Sequence, residues 1–325
     1  MTHEPPEPTT NTGAVRRHAP PRRRQPWSQT LGLALRGGLV GMAESVPGIS
    51  GGTVALVVGL YDRLLNAANQ VVHSGRELVQ GVAQRRGLRP ALRALRAVEW
   101  RFLVPVLLGM VVVLFASLSV VAPLLESEPV TMRSIFFGMI AVSVIVPLRM
   151  LPHRVRPLDL LVLAAGAVAA FFLVGLPPAE SSDPPLLLVL VGAAIAINAL
   201  VLPGVSGSTL LVVMGLYIPV QEAVSDRDLV FLGTFALGAV AGLASFVKLL
   251  HWLLDHRRQV TMAALAGLML GSLRALWPWQ DDDHVLQAPP DAVGVVGPLL
   301  LAVAGAAVVG AAIWWEASRS AELDE

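Results

Sequence analysis

The amino-acid sequence predicts an all-α polytopic membrane protein made of two inverted repeats, each with a re-entrant helical hairpin and about three transmembrane helices. The composition, a set of long apolar segments and a duplicated motif support this prediction. Charged residues make up 14% of the 325 positions and the mean hydropathy is +0.66, whereas soluble domains carry about 25% charged residues. Lipid is therefore the expected solvent.

The composition also excludes several kinds of chemistry. The chain contains no cysteine, which rules out disulfide bonds, thiolate nucleophiles and cysteine-ligated metals. The seven histidines lie in the N-terminal tail, in loops or at segment ends, and they share no helical face. We expect no metal site, no cofactor, no catalytic residue and no nucleic-acid partner.

The predicted repeats lie between two polar tails. Residues 1–27 are rich in Pro, Thr and Arg, so we expect a disordered, basic cytoplasmic tail. Each repeat starts with an apolar region that turn-forming residues split in the middle. The predicted segments are the first repeat at 28–176, with its hairpin at 29–66 and a basic cytoplasmic loop at 67–100, the second repeat at 177–317, with its hairpin at 185–219, and a cytoplasmic tail at 318–325.

Six further apolar segments are long enough to cross a bilayer, which takes about 20 residues per helix. If each hairpin returns to its own side, 21 of the 24 Lys and Arg residues lie on one side and only Arg133, Arg227 and Arg274 lie on the other. The positive-inside rule then places both termini in the cytoplasm. The six segments are 101–123, 131–149, 158–176, 229–254, 258–276 and 292–315.

The basic loop has features of a membrane-surface helix. Residues 73–101 carry seven arginines, and Leu92, Leu95 and Val98 follow helical spacing among them. A basic amphipathic helix of this kind binds anionic lipid, and a plain solvated loop is the alternative.

The repeat is visible in one motif. Residues 47–61 (PGISGGTVALVVGLY) and 203–217 (PGVSGSTLLVVMGLY) are identical at nine of fifteen positions, and they end on the only two tyrosines, Tyr61 and Tyr217. A weaker echo pairs FFGMIAVS at 136–143 with AGLMLGS. Three predicted spans separate the two copies of the motif, so the second copy should be inverted. Inverted repeats with broken helices are typical of transporters, whose substrate site lies near the membrane midplane.

The two hairpins differ in predicted length. In the first, Arg36 precedes Pro47 by eleven residues, so the apolar arm is about 15 Å long at about 1.5 Å per residue. That length reaches half-way across the membrane, which predicts a re-entrant hairpin. In the second, the descending arm at 186–202 could nearly span, and its re-entrant assignment rests on the repeat.

The hairpin tips have the chemistry of an anion site. A proline breaks each helix, glycines allow close approach to the backbone, and the outgoing half-helix presents unpaired N–H groups. Small residues that merely allow close helix packing are the alternative. The candidate phosphate-binding residues are Gly48, Ser50, Gly51, Gly52 and Thr53 in the first tip, and Gly204, Ser206, Gly207, Ser208 and Thr209 in the second.

Four other residues are candidates for specific roles. Glu44 lies three residues before Pro47, where a carboxylate is costly in lipid, so it either couples or gates transport or fixes the turn. Arg274 lies in an apolar segment, and we expect a phosphate contact, with snorkelling to the interface as the alternative. Tyr61 and Tyr217 are expected in the interfacial aromatic belt.

These motifs resemble one family. The segments EsVPGISGGT from Glu44 to Thr53, GLYDRL, LPGVSGST and GLMLGSLRALWPW are similar to those of the polyprenyl-phosphate translocase family, over about residues 30–317. The resemblance implies a bacterial inner-membrane flippase that returns undecaprenyl phosphate from the outer to the inner leaflet. The carrier is thereby recycled for peptidoglycan and other envelope polymers, with proton or sodium coupling left open.

Two alternative functions follow from the residues alone. Paired half-helix tips would also suit a transporter of a small soluble anion. The spacing of Arg149, Arg156 and Pro157 imitates the first motif of membrane lipid phosphatases, but no PSGH motif follows it. An intramembrane phosphatase is therefore the weaker alternative, and we expect a transporter rather than an enzyme.

Overall fold

The computed structural model describes residues 27–45, 50–84, 89–179, 181, 183–281, 285–289 and 292–324. Within these residues the fold is all-α. The helices are α1 (Trp27–Glu44), α2 (Gly51–Val57), α3 (Tyr61–Ala83), α4 (Arg89–Ala97), α5 (Trp100–Leu118), α6 (Val121–Ser127), α7 (Pro129–Ser143), α8 (Ile145–Arg149), α9 (Pro157–Leu173), α10 (Leu186–Ala196), α11 (Gly207–Val213), α12 (Tyr217–Asp226), α13 (Leu229–His256), α14 (Arg258–Ser272) and α15 (Ala292–Asp324).

The predicted multi-pass membrane fold is confirmed. Five segments of the described chain are long and apolar enough to cross a membrane, and α11 with α12 forms a sixth that is bent by 100°. The predicted span at 158–176 is the shorter apolar helix α9, and α10 is likewise short. The five segments are Trp100–Leu118, Pro129–Arg149, Leu229–His256, Arg258–Leu276 and Gly294–Trp314.

Four helix pairs hold the bundle together: α1 with α5, α10 with α13, α7 with α15, and α9 with α14. A glycine lies at each crossing, because its missing Cβ leaves room for a backbone carbonyl of the partner helix. Gly109 of α5 faces the carbonyl of Ala34, and Gly138 of α7 faces that of Ala302. These close backbone approaches follow the small-residue rule of membrane helix packing.

The four pairs correspond between the two halves of the chain. Each hairpin's first helix packs on the next helix that is long and apolar enough to span the membrane, as α1 does on α5 and α10 on α13. The two weakly similar segments, FFGMIAVS in α7 and AGLMLGS in α14, also make matching contacts. Gly138 in α7 faces Ala302 of α15, and Gly267 in α14 faces Leu163 of α9. The halves therefore exchange helices, and these matching contacts support the repeat. Its inversion stays a prediction.

Some boundaries differ from the sequence prediction. Helix α1 begins at Trp27 and continues through Arg36, so it is longer than the expected half-span arm. Much of the predicted basic loop is helical, because α3 continues to Ala83 and packs against α4. The predicted C-terminal tail is helical to Asp324, in keeping with its Ala, Glu and Leu residues, which favour helix. The predicted N-terminal tail at 1–27 lies outside the described residues except for Trp27, which begins α1.

The glycine crossings can be tested with one substitution. Changing Gly138→Val should lower the free energy of unfolding by about 1–3 kcal/mol, because the new side chain meets the Ala302 carbonyl. Thermal unfolding of the purified protein in detergent measures the loss. Gly310→Ala is the control, since nothing lies within 4 Å of its added Cβ. Equal stability of both variants would contradict the packing argument.

Candidate functional site

The two hairpin breaks meet. The Thr53 side chain accepts a hydrogen bond from the Gly204 amide at 3.0 Å, and the Ser50 hydroxyl donates to the Leu202 carbonyl at 2.8 Å. A Cβ added to Gly52 would lie 3.1 Å from the Val201 carbonyl oxygen, so the backbones of the two tips are in near contact. The repeated motifs therefore form one centre and not two separate turns.

The first tip is buried and internally satisfied. Ser50 is the N-cap of α2, and its hydroxyl accepts from the Gly52 amide at 3.2 Å. The Gly51 amide donates to Glu44 Oε1 at 2.8 Å. A carboxylate at this position satisfies the unpaired amides and the positive end of the helix dipole. Glu44 therefore occupies the place where an external anion would bind.

The second tip is more open. Gly204 has φ +84, a conformation that favours glycine, and its position against the backbone of Met269 leaves no room for a side chain. The Ser206 hydroxyl bonds the Ser208 hydroxyl at 2.9 Å and does not cap α11. No acceptor is recorded within the described residues for the first amides of α11. These amides lie on the half-buried residues Gly207, Ser208 and Thr209.

Both half-helices end in the same turn. Gly59 and Gly215 each have φ 69, and the amide of the next residue bonds back to the half-helix at 2.8 Å in both copies, from Leu60 to Ala55 and from Leu216 to Leu211. The same local sequence thus makes the same C-terminal cap. Each half-helix is only seven residues long, so its N-terminus stays deep in the bundle.

The two tyrosines that follow these turns have different environments. Tyr61 is 4% exposed, and its hydroxyl donates to the Val201 carbonyl at 3.0 Å. The interfacial position expected for Tyr61 is therefore wrong, because its ring lies between the two hairpins. Tyr217 is 38% exposed and lines an open cavity with Pro178 and Glu222.

Arg274 lies apart from the contacts that join the tips. Its guanidinium donates to the carbonyls of Phe171 at 3.2 Å and Gly175 at 3.5 Å, and it lies 4.6 Å over the Phe171 ring. The Nε atom is buried and has no hydrogen-bond partner among the described residues. The side chain lines a cavity of about 350 Å³ with Phe137, Trp277 and Gln287.

Comparisons with known proteins identify the family of this chain. The sequence profile of the undecaprenyl phosphate translocase-like family matches residues 40–292. The chain belongs to this family. The polyprenyl-phosphate transporter of Vibrio cholerae serotype O1 is 38% identical over 77% of this chain and 79% of its own length. The polyprenyl-phosphate transporter of Staphylococcus aureus is 26% identical over 75% of this chain and 85% of its own length. No solved structure matches.

The family assignment fits a transporter, and the geometry shows which predicted residues come together. The structure brings Ser50, Gly52, Thr53 and Gly204 into one centre. Next to it, the Glu44 carboxyl accepts a hydrogen bond from the Gly51 amide. Pro47 and Gly48 lie outside the described residues. The other second-tip residues follow Gly204 at the start of α11, where Gly207, Ser208 and Thr209 are half-buried.

Sequence reasoning missed an ion pair between the two halves of the chain. Asp62 accepts a hydrogen bond from Arg258 at 2.9 Å, which joins the start of α3 to the start of α14. Arg63 beside it pairs with Glu99 at 2.9 Å and lies 4.2 Å over the ring of Phe102. The adjacent charges in GLYDRL were the available signal, but the motif does not reveal partners so far away in sequence.

The contact between the tips predicts a specific stability effect. Thr53→Val should lower the free energy of unfolding by about 1–3 kcal/mol, because it leaves the buried Gly204 amide without an acceptor. Thr53→Ser keeps the hydroxyl and should lose less. Thermal unfolding in detergent separates the two variants. If Val and Ser were equivalent, the hydrogen bond would not join the tips.

Proposed function

We propose that this protein moves undecaprenyl phosphate, or another polyprenyl phosphate, from the outer to the inner leaflet of the bacterial inner membrane. The recycled carrier would then serve peptidoglycan and other envelope polymers. The contact between two broken hairpins, one of which has first amides with no acceptor among the residues that the structure describes, is the observation that carries this proposal. Family membership favours a polyprenyl phosphate as the substrate.

The second tip is the proposed phosphate-binding half of the site. Its three leading amides and the hydroxyls of Ser206, Ser208 and Thr209 offer several donors to one phosphate. Burying an unpaired headgroup charge in hydrocarbon would cost tens of kcal/mol by Born estimates. A polar centre enclosed by two hairpins lowers that cost, because the headgroup exchanges water for donors already in place.

Glu44 is the proposed gate and coupling residue. Its carboxylate holds the Gly51 amide, so a phosphate could bind the first tip only after that contact opens. Neutralisation of Glu44 by a proton, or by sodium, would weaken this contact and remove the repulsion between the carboxylate and an incoming phosphate. The alternative role as a structural partner of the turn predicts the same contact but no dependence on an ion gradient.

Arg274 is the proposed first contact for the headgroup. Its side chain lines a cavity of about 350 Å³, and its bond to the Gly175 carbonyl is long, at 3.5 Å, so a terminal guanidinium nitrogen can exchange this contact for a phosphate oxygen. Guanidinium groups bind phosphate through paired N–H donors. The headgroup would then pass from Arg274 to the tips, while the prenyl chain stays in lipid.

The proposed orientation places both termini in the cytoplasm, as the distribution of Lys and Arg indicates. Helices α3 and α4 then lie on the cytoplasmic surface. Each leaves apolar side chains exposed beside its arginines, with Leu78 and Val82 on α3 and Leu92 and Leu95 on α4. This arrangement suits contact with anionic lipid.

The competing functions have less support. A transporter of a small soluble anion would need only the tips. That function would not explain why the chain matches a family whose description names a lipid substrate. The phosphatase-like fragment is divided between two helices, since Arg149 ends α8 and Arg156 precedes α9 by one residue. His153 within it contacts Gln259, so it is not paired with a nucleophile.

Leaflet transfer of a labelled polyprenyl phosphate by the reconstituted protein tests the proposal. We expect Ser206→Ala with Ser208→Ala to slow transfer by about tenfold or more, because hydrogen bonds to a charged group contribute about 1.5–3 kcal/mol. Arg274→Ala should also slow it. Ser225→Ala is the matched control, since its exposed hydroxyl bonds only its own helix.

Three results would count against the site. Transfer by the double serine variant at the wild-type rate would remove the second tip from the mechanism. Uptake of inorganic phosphate without lipid transfer would favour the soluble-anion transporter. Release of phosphate from the lipid would favour the phosphatase.

The coupling role of Glu44 has its own test. Glu44→Gln keeps an acceptor for the Gly51 amide but cannot exchange a proton at this position. We expect transfer to lose its response to an imposed proton or sodium gradient while the variant stays folded. Transfer is followed with each gradient in turn and with neither. A variant that responds like the wild type would leave Glu44 with only a structural role.

A further inference from the structure

We propose that an apolar groove beside the first hairpin, between α1, α2, α7 and α15, receives the prenyl chain of the transported lipid. This inference rests on the proposed function. The groove has a volume of about 140 Å³. Its walls include Leu39 and Ala43 of α1, Val54 of α2, Phe136 of α7 and Ala312 of α15.

The chemistry of the lining fits a hydrocarbon chain. Of the thirteen residues that line the groove, only Ser143 has a polar side chain, and its hydroxyl donates to the Met139 carbonyl of its own helix at 2.7 Å. The groove therefore offers no free side-chain donor or charge to a polar ligand. A chain of methyl and methylene groups would gain dispersion contacts there at no desolvation cost.

The groove also lies where a lipid with a bound headgroup would need it. Ala43 precedes Glu44, whose carboxylate bonds the first tip, and Val54 follows Thr53, whose side chain bonds the second. The same two helices thus carry the polar centre and the apolar wall. When the phosphate headgroup of the lipid lies at the tips, the first part of its prenyl chain would lie beside α1 and α2. The prenyl chain is therefore the occupant that fits this groove.

The corresponding flank of the second hairpin is packed differently. By the repeat, Ala43, Val54 and Val58 correspond to Ala199, Leu210 and Met214, and the weak echo pairs Met139 with Leu268. Ala199 and Leu210 are buried in one apolar cluster, and the partly buried Met214, Leu268 and Leu173 pack against it. In the first half, Val54 and Val58 are only half-buried and line the groove.

The side chains of the two flanks differ in size at several positions. Val54 and Val58 of the first half correspond to the larger Leu210 and Met214. By the same correspondence, Phe136, Val308 and Val309 of the groove correspond to the smaller Leu265, Ala169 and Ala170.

The outer helix differs at one further position. Ala302 and Leu163 face the equivalent glycines Gly138 and Gly267, and Ala312 and Leu173 lie ten residues after them. Ala312 thus corresponds to the larger Leu173. Larger side chains at Val54, Val58 and Ala312 would therefore narrow the groove.

Exchanging these residues between the halves tests the proposal. The variant Val54→Leu, Val58→Met, Ala312→Leu gives the first flank the side chains of the second. We expect leaflet transfer of labelled undecaprenyl phosphate to fall by about tenfold or more. The matched control Leu210→Val, Met214→Val opens the second flank and should transfer within about twofold of the wild type. Thermal unfolding of each variant identifies any loss through misfolding.

A second measurement does not depend on transport. Undecaprenyl phosphate with a photoreactive diazirine in its first isoprene units is crosslinked to the wild-type protein in vesicles, and the modified peptides are mapped by mass spectrometry. We expect adducts on α1, α2, α7 or α15, and fewer of them in the triple variant. The absence of cysteine also permits single-cysteine reporters at the same positions.

The outcomes separate this inference from the proposed function. Adducts confined to α9, α10 and α14, or wild-type transfer by a folded triple variant, would overturn the groove while leaving the transporter in place. Adducts in the groove without leaflet transfer by the wild-type protein would support the groove and contradict the proposed transport. Transfer that is lost equally in the triple variant and in the control would show that the flanks are equivalent, and the inference would be wrong.

Discussion

The arrangement of this protein depends on one constraint, which is that exposed backbone inside a membrane must find a partner. Two helices are broken in the apolar region, and each break frees amides and carbonyls that lipid cannot satisfy. The chain solves this by placing the breaks against each other. Side chains of the first tip bond backbone groups of the second, as Thr53 does with Gly204 and Ser50 with Leu202. The surrounding helices then exclude lipid from the centre.

The other helices position this contact. Close glycine crossings bring α5 against α1 and α13 against α10, so each hairpin is held by the next membrane-spanning helix along the chain. The exchange of α15 and α9 between the halves connects the two hairpins further. The two halves of the chain are therefore joined by hydrogen bonds at the tips and by helix packing around them.

The sequence predicted the membrane fold and the composition of the tips because both leave local signals. Apolar length identifies a span, and a proline followed by Gly and Ser identifies a broken helix, so Ser50 and Ser206 were found without structural information. Identical turns at Gly59 and Gly215 also follow from identical local sequence. The boundaries of α3 and α15 were less predictable, since polar residues at a membrane surface can be helical as readily as irregular.

Contacts between distant residues could not be predicted in the same way. The bond from Tyr61 to Val201 depends on how the hairpins dock, and an aromatic residue near charged ones suggested an interface instead. The carbonyl partners of Arg274 depend on the end of α9. Glu44 was recognised as unusual because a carboxylate in lipid needs a reason, but its amide partner at Gly51 required coordinates.

The bond between Glu44 and Gly51 bears on selectivity against common ions. A bare ring of amides in the middle of a membrane would attract chloride, and two facing tips would then provide a leak. In the proposed mechanism, the carboxylate of Glu44 offsets the positive end of the first half-helix whenever no cargo is bound. A small monovalent ion would then gain too little from the second tip alone to displace it, whereas a phosphate with several oxygens would bond both tips at once. The protein would thus stay insulating between transport cycles.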